Sequence, residues 1–248
     1  WLPDFLNREL FPNMQFEPVE IEEYTTPLKT RYINTGHNEK LFELTHLTDN
    51  PWNKGGEDKF LNKLKKLSID QDLVLISDFG HGLFEGNRLQ AINALEPFVA
   101  LGVQSNSANL GYNYFIKHKR YDYLCLDERE YRLALHDRST PTPQLMEQSA
   151  NKKFNLPACI TMGSAGSMYY DEDGSAYRCP IFFEDIIDTT GAGDAFLALT
   201  SLLVQQKVDP ILIPFLGNCI AGLKTRIVGN KKPVSKLDLI RTANSILS

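Results

Sequence analysis

The residues best suited to chemistry gather in one string, Asp188-Thr189-Thr190-Gly191-Ala192-Gly193-Asp194, which runs into Ala195-Phe196-Leu197-Ala198-Leu199. The apolar run reads as a helix, and the glycines before it permit a tight turn and close approach of a ligand. The first amides of a helix have no partner within it and sit at its positive end, so the start of this helix suits an anion. Asp194 sets a carboxylate inside that first turn. Donors that can hold a transferring phosphate, with a carboxylate beside them, are the parts phosphoryl transfer needs. An N-cap with a close-packed glycine turn would use the same residue types. A lone Gly-x-Gly would not separate the two readings, but a seven-residue string is far more specific. A dinucleotide fingerprint fits worse, because its third glycine would fall on Phe196, and no Gly-x4-Gly-Lys-Ser/Thr string occurs.

Other motifs carry weaker signals. Thr161-Met162-Gly163-Ser164-Ala165-Gly166 offers a hydroxyl and two glycines that can wrap a phosphate, or simply a strand-to-strand turn. Lys29 and Arg31 are two apart and share a strand face, as a clamp for a phosphate or carboxylate or as a solvated edge. Asp127-Glu128-Arg129-Glu130 has capping-box spacing with Asp in the Ser/Thr place. Gln104, Asn106 and Asn109 are amide side chains suited to sugar hydroxyls or to turns.

Positioning these residues requires a framework, and the chain supplies an alternating one. Residues 1–20 give a helical patch (Phe5, Leu6, Leu10) and an extended piece from Gln15. Two β-rich runs, 25–33 and 40–44, flank the turn 34–38 and read as a hairpin. Helices are predicted over 57–67, 87–98, 107–119, from 127, over 143–153, through the signature to 206, and over 209–226 and 235–247. Strands are predicted over 73–77, 100–104, 121–126 and 157–162, with a second hairpin at 167–171 and 175–179. Short apolar strands alternating with helices predict an α/β fold with a mostly parallel sheet covered on both faces. Asp78, Ser105, Asp127 and Gly163 each follow a strand, so their loops should meet at the carboxyl edge, where open sheets bind ligands.

Composition bounds the partners. The 248 residues are 42% hydrophobic and carry a net charge of -5, which suits a globular chain and gives no sign of nucleic acid as the main partner. Cys125, Cys159, Cys179 and Cys219 are scattered without a Cys-x-x-Cys pair, which argues against zinc and for reduced thiols in the cytoplasm. The longest apolar stretch, 211–223, is broken by Pro214 and Asn218 and is too short to span a membrane. The chain opens at Trp1, so its natural start is expected upstream.

Asp-Thr-x-Gly-Ala-Gly-Asp resembles the C-terminal signature of the ribokinase-like, or PfkB-type, carbohydrate kinases. The resemblance implies a three-layer α/β/α fold with a small β lid, here 15–47, over a nucleotide-binding core, 57–248. It implies Asp194 as the catalytic base and Gly191, Ala192, Gly193 and Asp194 as the anion hole. Thr161, Gly163 and Gly166 match the family's Thr-x-Gly-x-x-Gly near the ATP phosphates, and Asn218 and Gly222 its adenine-side helix. Glu130 matches the Glu of the family's Asn-x-x-Glu, with Asp127 departing from the Asn. Glu130 and Asp188 are thus implied for Mg²⁺, and a monovalent cation is a further candidate. Ser77-Asp78-Phe79-Gly80-His81-Gly82 is similar to the Ser-Asp-Tyr-Gly-Lys-Gly loop of the heptose-7-phosphate kinase branch, with His81 replacing Lys. Thr26-Pro27-Leu28-Lys29-Thr30-Arg31 is similar to that branch's segment facing the sugar phosphate.

Lys29, Arg31, Asp78, Gly80, Gln104 and Asn106 are the implied substrate residues. The implied partners are ATP, a sugar or sugar phosphate, a second copy through the lid, or a fused nucleotidyltransferase domain. The family's N-terminal Gly-Asp strand and Gly-Gly-Asn segment do not occur, so a single domain lacking its N-terminal strands is expected. That absence also keeps open a non-catalytic nucleotide-binding or scaffolding module.

Overall fold

The fold comes from a computed structural model that describes residues 14–21, 25–34, 39–47, 52–106, 109–150 and 154–248. The hairpin forms as expected, with β1 (Leu28–Asn34) antiparallel to β2 (Glu39–His46) and a register shift at Tyr32/Ile33. Most of its turn, and the patch at Phe5, Leu6 and Leu10, lie outside the described residues.

The core then alternates. Helix α1 (Lys54–Ser68) leads to β3 (Leu73–Asp78), α2 (Gly86–Asn93), β4 (Phe98–Val103), β5 (Tyr123–Asp127), α3 (Glu128–Leu135), α4 (Thr142–Ser149) and β6 (Ala158–Thr161). Strands β7 (Ser167–Tyr170) and β8 (Ala176–Cys179) follow, then helices α5 (Ala192–Gln205), α6 (Leu212–Thr225) and α7 (Lys236–Leu247). Strand order is β3-β4-β5-β6-β7-β8; the first four are parallel and the last two add antiparallel.

Period-two alternation divides the strands between two cores. Val99, Leu101, Leu124, Leu126 and Ile160 pack on one face with Ile92 of α2, Tyr131 of α3 and Met146 of α4. Ala100, Tyr123, Cys125 and Cys159 face the other way, onto Phe196, Leu197 and Val204 of α5 and Ile213 of α6. The result is three layers, as the sequence predicts. All four cysteines are free and buried. No helix among the described residues is long and apolar enough to cross a membrane.

Two expectations need correction. The helix expected over 87–98 stops at Asn93, ahead of Pro97, and β4 begins at Phe98. The helix expected over 107–119 is absent among the described residues: turns run through 109–112 and only Phe115–Lys117 makes a 3-10 turn. The asparagines divert the backbone. Asn109 Oδ1 accepts from the Asn106 amide, and Asn113 Nδ2 donates to the Asp78 and Gln104 carbonyls. Such side chains offer the backbone partners that a helix would otherwise supply.

Candidate active site

Everything at the site hangs on the first turn of α5. Gly191 is its N-cap at φ 78°, in the left-handed region that a residue with a Cβ enters only under strain. A Cβ there would also stand 3.2 Å from both Asn230 Oδ1 and Lys224 Cε. The Ala192 amide donates to the Thr189 carbonyl at 3.1 Å. No backbone carbonyl among the described residues takes the amides of Gly191, Gly193 or Asp194. Three of the four expected anion-hole donors are therefore open, and Ala192 is engaged within the turn.

A tight set of bonds holds this loop against the end of α6. The Asp188 carboxylate accepts the Thr190 amide at 2.9 Å and the Gly229 amide at 2.7 Å. Burial pushes the Asp188 carboxyl up, but those two amides and the Lys224 charge outweigh it and hold it below the usual carboxylate range. The amides of Ile187 and Asp188 both donate to the Thr225 carbonyl. Asp188 is thus spent on the loop and does not line either cleft beside α5.

Those two clefts meet at the signature. The first, of about 590 Å³, is lined by Lys29, Arg31, Asp78, His81, Gln104, Glu130 and Asp194 among others. The second, of about 350 Å³, is lined by Thr161, Gly163, Gly166, Phe182, Phe183, Asn218 and Gly222 among others. Asp127, Thr161, Thr189 and Gly193 line both, so the helix start sits at the junction. A polar cleft and an apolar one meeting at an anion site suit two substrates that exchange a phosphoryl group.

The comparisons with known proteins bear on the family and the fold. Residues 118–208 match the model of the pfkB family carbohydrate kinases. The chain carries a pfkB-family stretch. It is 24% identical over 209 residues to the bifunctional protein HldE of Geobacter metallireducens, covering 83% of this chain and 41% of that protein. The chain therefore spans about two fifths of that curated relative. Its fold matches ribokinase from Thermotoga maritima at TM-score 0.62 and 15% identity, over 88% of this chain and 70% of that one. It also matches phosphofructokinase-2 from Escherichia coli in complex with potassium at TM-score 0.65 and 12% identity, over 89% of this chain and 71% of that one. The architecture is ribokinase-like.

The pfkB-family stretch contains Glu130, Thr161 and the signature; the sugar-side residues and the α6 residues lie outside it. Of the expected sugar-side residues, Lys29, Arg31, Asp78 and Gln104 line the first cleft, whereas Gly80 and Asn106 do not. Arg31 pairs with Glu43 across the hairpin at 2.8 Å. Asn106 Nδ2 donates to the Phe79 carbonyl, so it braces the 78–82 loop. Gly80 leaves room for Asn109, whose amide nitrogen would stand 2.0 Å from a Cβ there.

Asp78 borders the first cleft but its carboxylate is buried, at 2% exposure. Oδ2 takes Lys117 Nζ at 2.7 Å and His118 Nε2 at 2.9 Å, and Oδ1 takes the Gly80 amide at 2.9 Å. With a carboxylate as acceptor, His118 carries its proton on Nε2. These partners place Asp78 as the organiser of the loop rather than a free ligand. Lys117, His118 and Asn113 escaped the sequence reading, since nothing in the local spacing ties them to residue 78. Beside this network, His81 is held below the usual histidine range by burial and then by the Lys29 charge, against the pull of Asp78.

In the second cleft, Asn218 Nδ2 donates to the carbonyls of Cys179 and Pro180 at 2.9 and 2.8 Å, tying α6 to the end of β8. Phe183 packs so closely on Gly222 that a Cβ there would lie 2.2 Å from the ring. Gly222→Ala should displace that ring and weaken ATP-analogue binding about tenfold, the scale of a core overpacking error. Isothermal titration checks this, and unchanged affinity would remove the cleft as the nucleotide site.

Glu130 lines the first cleft, three residues on from Asp127, which lines both. Its oxygens accept the Ser105 and Asp127 amides, each at 3.1 Å. Burial raises it from 4.5 to about 7 despite those bonds, and the Asp127 and Asp194 charges add to the rise. A raised acid favours the folded state while protonated. Its contribution is complete below pH 4.5 and is lost as pH rises through about 7. Urea midpoints in Mg²⁺-free buffer should fall over that window, and Glu130→Gln should flatten the slope; parallel slopes would place the proton elsewhere.

Proposed function

We propose that this chain transfers the γ-phosphoryl group of ATP to a hydroxyl of a sugar or sugar phosphate, with 57–248 as the nucleotide-binding core and 15–47 as a lid. The observation that carries the reading is the open amide set of Gly191, Gly193 and Asp194 at the junction of the two clefts. ATP would lie in the apolar cleft with its adenine near Phe183 and Gly222 and its phosphates along Thr161, Gly163 and Gly166. The acceptor would lie in the polar cleft. Asp194 would orient its hydroxyl and take the proton, while the amides hold the charge that spreads over the transferring oxygens.

Magnesium fits the residues present. Mg²⁺ prefers oxygen ligands, keeps several waters and is commonly held by one or two carboxylates with substrate phosphates. Glu130 and Asp127, close enough for their charges to repel, would hold it directly or through water. Bound there, the ion would neutralise charge on the phosphates. Asp188 does not fit this role, because it lines neither cleft and its carboxylate ties the signature loop to Gly229.

Lys29, Arg31 and His81 border the acceptor cleft and support a phosphorylated acceptor, with a heptose 7-phosphate-like sugar as the best fit. Four buried, unpaired thiols support a cytoplasmic location. The span of only 41% of a relative described as bifunctional supports a second reading, a nucleotide-binding module of a larger protein.

The test is ADP release from Mg-ATP against a panel of sugars and sugar phosphates. Sugar-dependent release establishes the kinase. ATP binding without release, repeated on a chain extended at its N-terminus, favours the non-catalytic module.

A further inference from the structure

We infer that the Lys224 side chain takes the place of a bound monovalent cation, holding the anion-site loop in position so that the chain needs no potassium or ammonium ion. The inference rests on the kinase reading for its rate measurements and stands apart from it for its stability measurements.

Lys224 ends α6 and is 7% exposed, which is unusual for a lysine unless its ammonium is fully engaged. Its Nζ donates to the Thr190 carbonyl at 2.7 Å and the Gly229 carbonyl at 2.6 Å. Thr190 belongs to the signature loop and Gly229 to the loop after α6. The Asp188 carboxylate bridges the same two residues through their amides. Two carbonyl oxygens and one adjacent negative charge form a nest for a small cation, and an ammonium on a tether fills it. A second cation cannot share oxygens already held at such distances, since like charges a few ångströms apart repel. The monovalent cation raised by the family resemblance therefore does not fit the residues present.

The position also bears on function. The Lys224 stem lies behind Gly191, the N-cap of α5. Its charge adds to the positive end of the helix, on the side that would hold the transferring phosphate. Lys224 itself lines neither cleft, so it is a positioning residue acting through the carbonyl of Thr190, which lines the first.

The experiment follows thermal unfolding and sugar-dependent ADP release in KCl, NH₄Cl and choline chloride at equal ionic strength. Wild type, Lys224→Met and Lys224→Gln are compared. The wild type should respond alike to the three salts, within about twofold in rate. Lys224→Met keeps the stem's packing but leaves two carbonyls unpaired. It should lose about tenfold or more in choline, the scale of a lost charge-assisted bond, and recover much of that in K⁺ or NH₄⁺. Its Tm should rise in those ions only. Lys224→Gln serves if the Met variant does not fold.

A wild type that requires K⁺ overturns the inference. So do variants that keep the wild-type rate in choline, and so does a loss of rate or folding that neither ion repairs in either variant. If no chain releases ADP in any salt, the kinase reading fails, and the ion-specific rise in Tm still decides for or against Lys224.

Discussion

Asp194→Asn should lower sugar-dependent ADP release by about 10²–10⁴-fold, the usual worth of a general base, while ATP affinity stays within about twofold. The two effects separate because of where the residue stands. Asp194 lines the polar cleft and is not among the residues lining the apolar one. An asparagine has nearly the same shape, so the helix start and its open amides remain. It lacks the basic oxygen pair that would take the acceptor proton. Steady-state ADP release and a binding isotherm for an ATP analogue read the two quantities. A variant turning over at the wild-type rate would move the base elsewhere, and one that loses ATP binding would give Asp194 a structural role.

Asp78→Ala should cost on the order of 3–5 kcal/mol of stability and roughly 10 °C in Tm, because it strands the buried His118 and removes the ion partner of the half-buried Lys117. His118 is fully enclosed, and among the described residues its Nδ1 already lacks a partner and Lys117 Nζ keeps only the Asn113 oxygen after the change. The same network gives a pH dependence with a definite sign. Burial pushes the Asp78 carboxyl up. The bonds from His118 and Lys117, the Lys117 charge and the Gly80 amide more than reverse this, so it sits below the usual 3.8. Its stabilisation is complete above that value and is lost as pH falls through the lower native one. Chemical denaturation at neutral and acidic pH should show the gap between wild type and variant closing in acid. A cost under about 1 kcal/mol at neutral pH, the level of an exposed ion pair, would mean that the loop is held by other contacts.

The alternation of apolar strands and helices was legible because it is a local property. Period-two runs such as Phe98–Val103 must show alternate residues to opposite faces, and the two cores follow from that. The seven-residue signature was legible for a similar reason, since a helix start, its glycine turn and its carboxylate are neighbours in sequence. The hairpin was equally plain from its two β-rich runs.

Other features depended on partners far along the chain. The asparagines at 109 and 113 looked compatible with a helix until the carbonyls of residues 78–80 and 104 came within their reach. Asp78 read as a sugar ligand from its loop, yet its partner His118 lies forty residues away and consumes its carboxylate. Asp188 read as a metal ligand beside the signature, yet the Gly229 amide, forty-one residues on, claims one oxygen. Lys224 carried no signal, being one lysine near a helix end.

By itself, then, the sequence determined the layered α/β architecture, the hairpin and the glycine-led helix start with its carboxylate, each written in residues close together. Tertiary structure alone decided which polar groups reach the clefts and which are spent holding loops. The physical reason is that a buried charge must find a partner wherever the fold brings one near, and sequence spacing records only the neighbours along the chain.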